Sequence, residues 1–192
     1  MPSNRHIAQA LDMLADMMEL DGANIYKTIA HRKAARRIAE SNFSIREMAD
    51  DGTLTELPDI GDAIAAKIKE LVDTGRLAEL DEYKKKFPPD LVRIQKVHGI
   101  GAKTARKVWD QLGVSSLDEL EEAGREGRIA GLPGMGPRTE ENILKAIGQL
   151  KARGRRLLLG EALPVAEEGS EALGGLPEAR NVTCAGSVRR MK

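Results

Sequence analysis

Aromatic residues are nearly missing, since Phe, Tyr and Trp together make up 3% of the 192 residues. A core built without them must draw on Leu, Ile, Val, Ala and the seven Met, a composition that favours packed helices over a sheet. Cysteine occurs once, at Cys184, which excludes an internal disulfide and a cysteine-rich metal cage. A reducing, cytoplasmic setting is the matching expectation. No long apolar run is present, so neither a signal peptide nor a membrane-spanning helix is expected. Net charge is missing too: 30 Lys and Arg balance 30 Asp and Glu, which removes the simplest argument for nucleic acid. The length can bury a real core and suits one large or two small domains.

What is present is charge in blocks and apolar residues at helical spacing. Between Lys84 and Lys107 eight Lys or Arg stand against one acid, Asp90, whereas Asp118 to Glu126 is strongly acidic. A local basic stripe can bind phosphates whatever the total charge. Ile7, Leu11, Leu14 and Met18 recur at helical intervals until the turn dipeptide Asp21-Gly22. A second helix is expected over about 24–39, burying Ile25, Ile29, Ala34 and Ile38 while Lys27, Arg32, Lys33, Arg36 and Arg37 point elsewhere. Ser44-x-x-Glu47 and Ser116-x-x-Glu119 read as capping boxes, in which hydroxyl and carboxylate satisfy orphan backbone donors. Further helices are expected at about 62–73, 76–86, 89–96, 102–112, 137–152 and 155–173. Only 181–185 reads as a strand, with Cys184 filling space behind it. One strand is not a domain, so the sequence reads as cut just after a new domain begins.

The most informative feature is a repeated string: Leu57-Pro58-Asp59-Ile60-Gly61, Val97-His98-Gly99-Ile100-Gly101 and Leu132-Pro133-Gly134-Met135-Gly136, each before an amphipathic helix. Glycine permits a sharp turn, and the following helix starts with free N–H groups that a phosphate can approach. The helix dipole and nearby cations (Lys67, Lys103, Arg106, Arg138) add favourable potential. Such contacts read backbone and not bases. One copy is an ordinary turn between packed helices; three copies point to a shared task. His98 is expected to be a turn residue, Trp109 core beneath the second hairpin helix, and Lys84-Lys85-Lys86 a solvated face able to flank DNA.

These strings resemble the helix-hairpin-helix motif, with Asp59 departing from the usual glycine. The resemblance implies DNA-backbone binding by Gly61, Gly99, Gly101, Lys103, Thr104, Arg106, Gly134, Gly136 and Arg138. It also implies a monovalent cation such as K+ or Na+ between a DNA phosphate and hairpin carbonyls, here those of Thr55, Leu57 and Ile60, and of Gln95, Val97 and Ile100.

Two further stretches narrow the likeness. Tyr26-Lys27-Thr28-Ile29-Ala30-His31-Arg32-Lys33-Ala34-Ala35, followed by a hairpin helix with Lys67, resembles the lyase-type domain that opens the polymerase beta family. Cys184-Ala185-Gly186-Ser187-Val188-Arg189-Arg190 resembles the Gly-Ser-x-Arg-Arg signature of its palm. The chain therefore resembles the N-terminal part of a family X DNA polymerase of bacterial or archaeal type. The implied fold is mainly α: a lyase-like domain at 1–86, a fingers-like helical domain at 87–153, and the start of an α/β palm at 154–192.

The implied function is gap-filling synthesis in base excision repair, on gapped or nicked duplex bound without sequence preference, by a monomer that needs no membrane. Gly186, Ser187 and Arg190 would hold the triphosphate of an incoming dNTP. The paired aspartates that bind Mg2+ in such relatives are not in these residues, so this chain alone is expected not to polymerise DNA. Lys67 matches the amine that forms a Schiff base with a 5′ deoxyribose phosphate, and Lys27 and His31 match positions that hold the 5′ phosphate. Ala63 stands where many lyase-active relatives carry a lysine and His31 replaces a tyrosine, departures that weaken phosphate capture. Two other readings stay open on sequence: a non-enzymatic helix-hairpin-helix adaptor, and a protein-interaction domain whose hairpins bind no DNA.

Overall fold

The computed structural model of the protein describes residues 2–154. Among them nine α-helices follow one another without a strand: α1 Asn4–Leu20, α2 Ile25–Ala39, α3 Ile45–Asp50, α4 Asp62–Thr74, α5 Ala78–Lys86, α6 Leu91–Gln95, α7 Ala102–Leu112, α8 Leu117–Arg125 and α9 Pro137–Gly154. A 3-10 turn, Leu54–Glu56, lies between α3 and α4. The helix expected at 155–173, the strand at 181–185 and the palm they would open lie outside the described residues. The chain divides into two compact units, 1–147 and 148–192, and of the second only the end of α9 is described. No helix among the described residues is long and apolar enough to cross a membrane.

The first unit is built round α1. Ile7, Leu11, Leu14 and Met18 are buried as their spacing requires, and Ala8, Ala15, Met17 and Leu20 widen the stripe. A helix apolar over so broad an arc must be surrounded, and α1 packs along α2 and touches α4, α5, α6 and α7. Both its ends are satisfied: Ser3 Oγ accepts from the His6 N–H at 3.3 Å, and beyond Asp21-Gly22 the Ala23 N–H reaches back to the Met18 carbonyl at 2.9 Å. Each capping serine does the same for its helix, Ser44 Oγ with Glu47 N–H at 3.3 Å and Ser116 Oγ with Glu119 N–H at 3.2 Å. The Glu119 carboxylate accepts from the Ser115 N–H at 2.7 Å, and that bond is the main reason its carboxyl lies below the usual range.

α2 departs from its sequence pattern. Ile25 and Ile29, expected in the core, are exposed, and the buried face is Thr28, His31, Ala34, Ala35 and Ile38. Arg32, expected to point outward, turns toward α1, where its guanidinium lies 2.8 Å from Asp16 and 2.5 Å from Glu19. That pair fixes the helix rotation, and Ile29, about 100° round from Thr28, is left facing solvent.

Candidate nucleic-acid interface

The three glycine strings fold into one repeated geometry. In each, the first residue's carbonyl accepts from the N–H three positions on: Leu57 from Ile60 at 3.2 Å, Val97 from Ile100 at 2.9 Å, and Leu132 from Met135 at 2.9 Å. The third position of each turn is left-handed, with φ 67° at Asp59, 89° at Gly99 and 77° at Gly134. A positive φ at the third position is what a type II turn requires, and proline at the second position, present in the first and third hairpins but replaced by His98 in the second, favours it. Asp59 therefore takes a conformation that glycine adopts without strain.

The residue after each turn starts the next helix. Gly61 and Gly101 are N-caps of α4 and α7 in extended backbone, with φ −92° and −94°. Among the described residues α1, α2, α3 and α8 have an N-cap side chain accepting from a first-turn N–H and α5 has Glu70 accepting from the Ala78 N–H, whereas α4, α7 and the short α6 have none. A Cβ at Gly61, Gly101 or Gly136 would meet nothing within 4 Å. The fold itself thus has no steric need for glycine at these three positions, and the first-turn amides of α4 and α7 have no side-chain acceptor among the described residues.

The caps differ in charge. Two positions past the cap glycine stand Lys103 in the second hairpin and Arg138 in the third, both exposed and without an ion pair among the described residues; the same place in the first hairpin is Ala63. Asp62 begins α4, and Pro137, lacking an N–H, begins α9. The second hairpin is therefore the one with both a full set of amides and an unengaged cation. Thr104, half-buried, lies on its first turn. Arg106 is committed inward: it bonds Asp110 at 2.9 Å and lies over the rings of Phe87 and Trp109 at 4.9 and 5.5 Å. Trp109 is half-buried, edge-on to buried Phe87 at 5.6 Å, and His98 is exposed in its turn. Lys107 Nζ donates to the Pro133 carbonyl at 2.8 Å, joining the second hairpin helix to the third hairpin. Lys84, Lys85 and Lys86 are each paired, with Asp81, Glu82 and Asp21, so that run is less available than its sequence suggests.

The lyase-type residues come together. Lys27, His31 and Lys67 line one cleft of about 800 Å3, with Asn24, Asp59 and Glu79 among its other walls. Lys27 is exposed, on the first turn of α2. His31 is only 6% exposed; its Nδ1 lies 2.8 Å from the Lys27 carbonyl, and its Nε2 is buried without a partner. A carbonyl only accepts, so Nδ1 carries the hydrogen and the buried Nε2 is an acceptor without a partner among the described residues. Lys67 Nζ lies 2.6 Å from Glu79 Oε2. Tyr83 also lines the cleft, where burial and then the Asp21 and Glu79 carboxylates push its phenol up. Sequence reasoning missed Glu79 and Tyr83, because they arrive on α5 and no local motif ties them to Lys67. It also gave Tyr26 no role, yet Tyr26, next to Lys27 in the chain, is 79% exposed, and Ile25 and Ile29 on the same helix are exposed in part. Gly186, Ser187 and Arg190 lie outside the described residues.

Among families, the helix-hairpin-helix domain matches residues 2–77 and the SAM-like helix-hairpin-helix tandem matches residues 91–149. Over 188 residues the chain is 35% identical to the DNA polymerase/3′-5′ exonuclease PolX of Bacillus subtilis (strain 168), covering 98% of this chain and 32% of that protein. It is 31% identical over 119 residues to the DNA nucleotidylexotransferase of Ambystoma mexicanum and 25% identical over 117 residues to DNA polymerase lambda of Rattus norvegicus, in each case 61% of this chain and 22% and 19% of the relative. The chain thus spans about a third or less of the length of the curated relatives it matches. Two helix-hairpin-helix matches and an identity that runs almost end to end place it together: the chain belongs to the family X DNA polymerases, as their helix-hairpin-helix N-terminal part.

Proposed function

We propose that the chain holds duplex DNA by its phosphates, without reading sequence, for a polymerase that fills short gaps during base excision repair. The observation that carries this is the pair of helix starts without a side-chain cap at Gly61 and Gly101, with open space where a side chain would stand there and at Gly136. The second hairpin, with Lys103, contributes most to binding, and the cleft of Lys27, His31 and Lys67 receives the downstream 5′ end. The exposed Tyr26, next to Lys27 in the chain, offers a face on which an unpaired template base can stack. When the end is a deoxyribose phosphate, Lys67 is the amine for Schiff-base chemistry.

The hairpin carbonyls of Thr55, Leu57 and Ile60, and of Gln95, Val97 and Ile100, are the groups that would hold a monovalent cation, which would supply positive charge toward a DNA phosphate. Mg2+ and dNTP binding belong to the whole polymerase, which we place in the cytoplasm as a monomer. Fluorescence anisotropy with a one-nucleotide-gapped duplex and an intact duplex, across a salt series, tests the reading. Tighter binding to the gap, weakening steeply with salt, is expected; equal affinity for the two, or binding indifferent to salt, would contradict it.

A further inference from the structure

We propose that Glu79 sets how strongly the cleft prefers a phosphorylated 5′ end, because its carboxylate occupies Lys67 until a phosphate displaces it. This rests on the reading of the cleft given above and adds a residue which that reading does not use.

Lys67 on α4 and Glu79 on α5 meet at 2.6 Å, with their side chains 21% and 39% exposed. Both line the cleft, so the pair lies where the incoming group must go. Of the other charged groups on those walls, Asp59 is held by Arg37 at 3.4 Å, whereas Asp62 and Lys27, both exposed, have no ion pair among the described residues. Glu79 is thus the carboxylate whose partner is itself a ligand for the end. A terminal phosphate carries roughly two negative charges and three acceptor oxygens. It can draw Lys67 away only by breaking the existing pair. A 5′ hydroxyl carries no charge and leaves the pair closed. The preference for phosphate is therefore what Lys27, His31 and Lys67 supply, less what Glu79 takes back. Glu79→Gln keeps the length and an acceptor oxygen for Lys67 but removes the charge.

The test is a titration of the chain with one-nucleotide-gapped duplexes whose downstream strand ends in 5′ phosphate or 5′ hydroxyl. Glu79→Gln is expected to raise the phosphate-over-hydroxyl affinity ratio about five-fold, the effect of one partly screened ion pair. The Lys67→Ala/Glu79→Gln double variant is expected to lose that gain. Because a ratio is read, a small loss of stability from unpinning α4 and α5 cancels, and Glu79→Ala serves as a second variant. A ratio unchanged in both Glu79 variants, or a gain that persists without Lys67, would overturn the proposal. Failure of the cleft reading is distinct: Lys27→Ala and Lys67→Ala would then leave the wild-type ratio where it was.

Discussion

Asp59 has the one left-handed backbone among the described non-glycine residues, and Arg37 meets its carboxylate at 3.4 Å. The two facts belong together. An acid in the first hairpin opposes an approaching phosphate, and Arg37 partly cancels it. Asp59→Gly is expected to remove the left-handed strain and gain about 0.5 kcal/mol after the added freedom of the unfolded chain is set against it. Affinity for gapped duplex rises at the same time, since the acid is lost and Arg37 is released. Urea denaturation and anisotropy check the two parts separately; weaker binding would contradict the account.

Two glycines separate a binding role from a folding role. Gly101 has φ −94° and open space, so Gly101→Val should leave stability within about 0.5 kcal/mol and lower duplex affinity roughly ten-fold by blocking the approach to the α7 amides. Gly127 has φ 76°, so Gly127→Ala should cost about 1 kcal/mol and leave DNA affinity unchanged. The opposite pattern in melting and binding would remove the case for the hairpin caps.

The unequal cations predict unequal salt slopes. Lys103→Ala should reduce the slope of log affinity against log salt by about 0.9, and Ala63→Lys, which places a cation at the equivalent position of the first hairpin, should raise it by a similar amount. A slope insensitive to either change would show that these first-turn positions do not meet phosphate.

Glu119 offers a pH test of helix capping. Its carboxyl is held low chiefly by the Ser115 N–H, so its contribution to stability is present above the usual glutamate value near 4.5 and is lost as pH falls through the lowered value. Glu119→Gln should therefore be less stable than wild type at neutral pH, with the gap closing on acidification. Melting temperatures measured from pH 7 down to pH 3 would show it, and a constant difference would contradict it.

Local signals carried well from sequence to fold. The stop at Asp21-Gly22, the hydroxyl caps at Ser44 and Ser116, and the three turns are each fixed by a few adjacent residues and formed as read, although the Glu119 carboxylate bonds Ser115 and no return bond from Glu47 to Ser44 accompanies the first cap among the described residues. What failed was the rotation of α2, because Ile25 and Ile29 repeat at a helical interval that looks like a core stripe. The ion pair of Arg32 with Asp16 and Glu19 decides the matter, and that partner lies 16 residues away along the chain at Asp16. The same limit applies to the site. That Lys27, His31 and Lys67 share a cleft was legible through a family likeness, but the engagement of Lys67 by Glu79 and of Arg106 by Asp110 was not, since a sequence shows a cation without showing what it touches.

Asp16 is 3% exposed, and its two oxygens serve different elements: Arg32 of α2 bonds one at 2.8 Å, while Lys96, just ahead of the second hairpin, lies 2.9 Å from the other without hydrogen-bond alignment. Dissolved ions screen exposed charges far more than those sealed inside. Asp16 is the sealed member of this clasp, with the Arg32 and Lys96 side chains 37% and 55% exposed. On the proposed reading, rising ionic strength is therefore expected to release DNA from the exposed cations first, while the buried carboxylate keeps α1, α2 and the approach to the second hairpin in register.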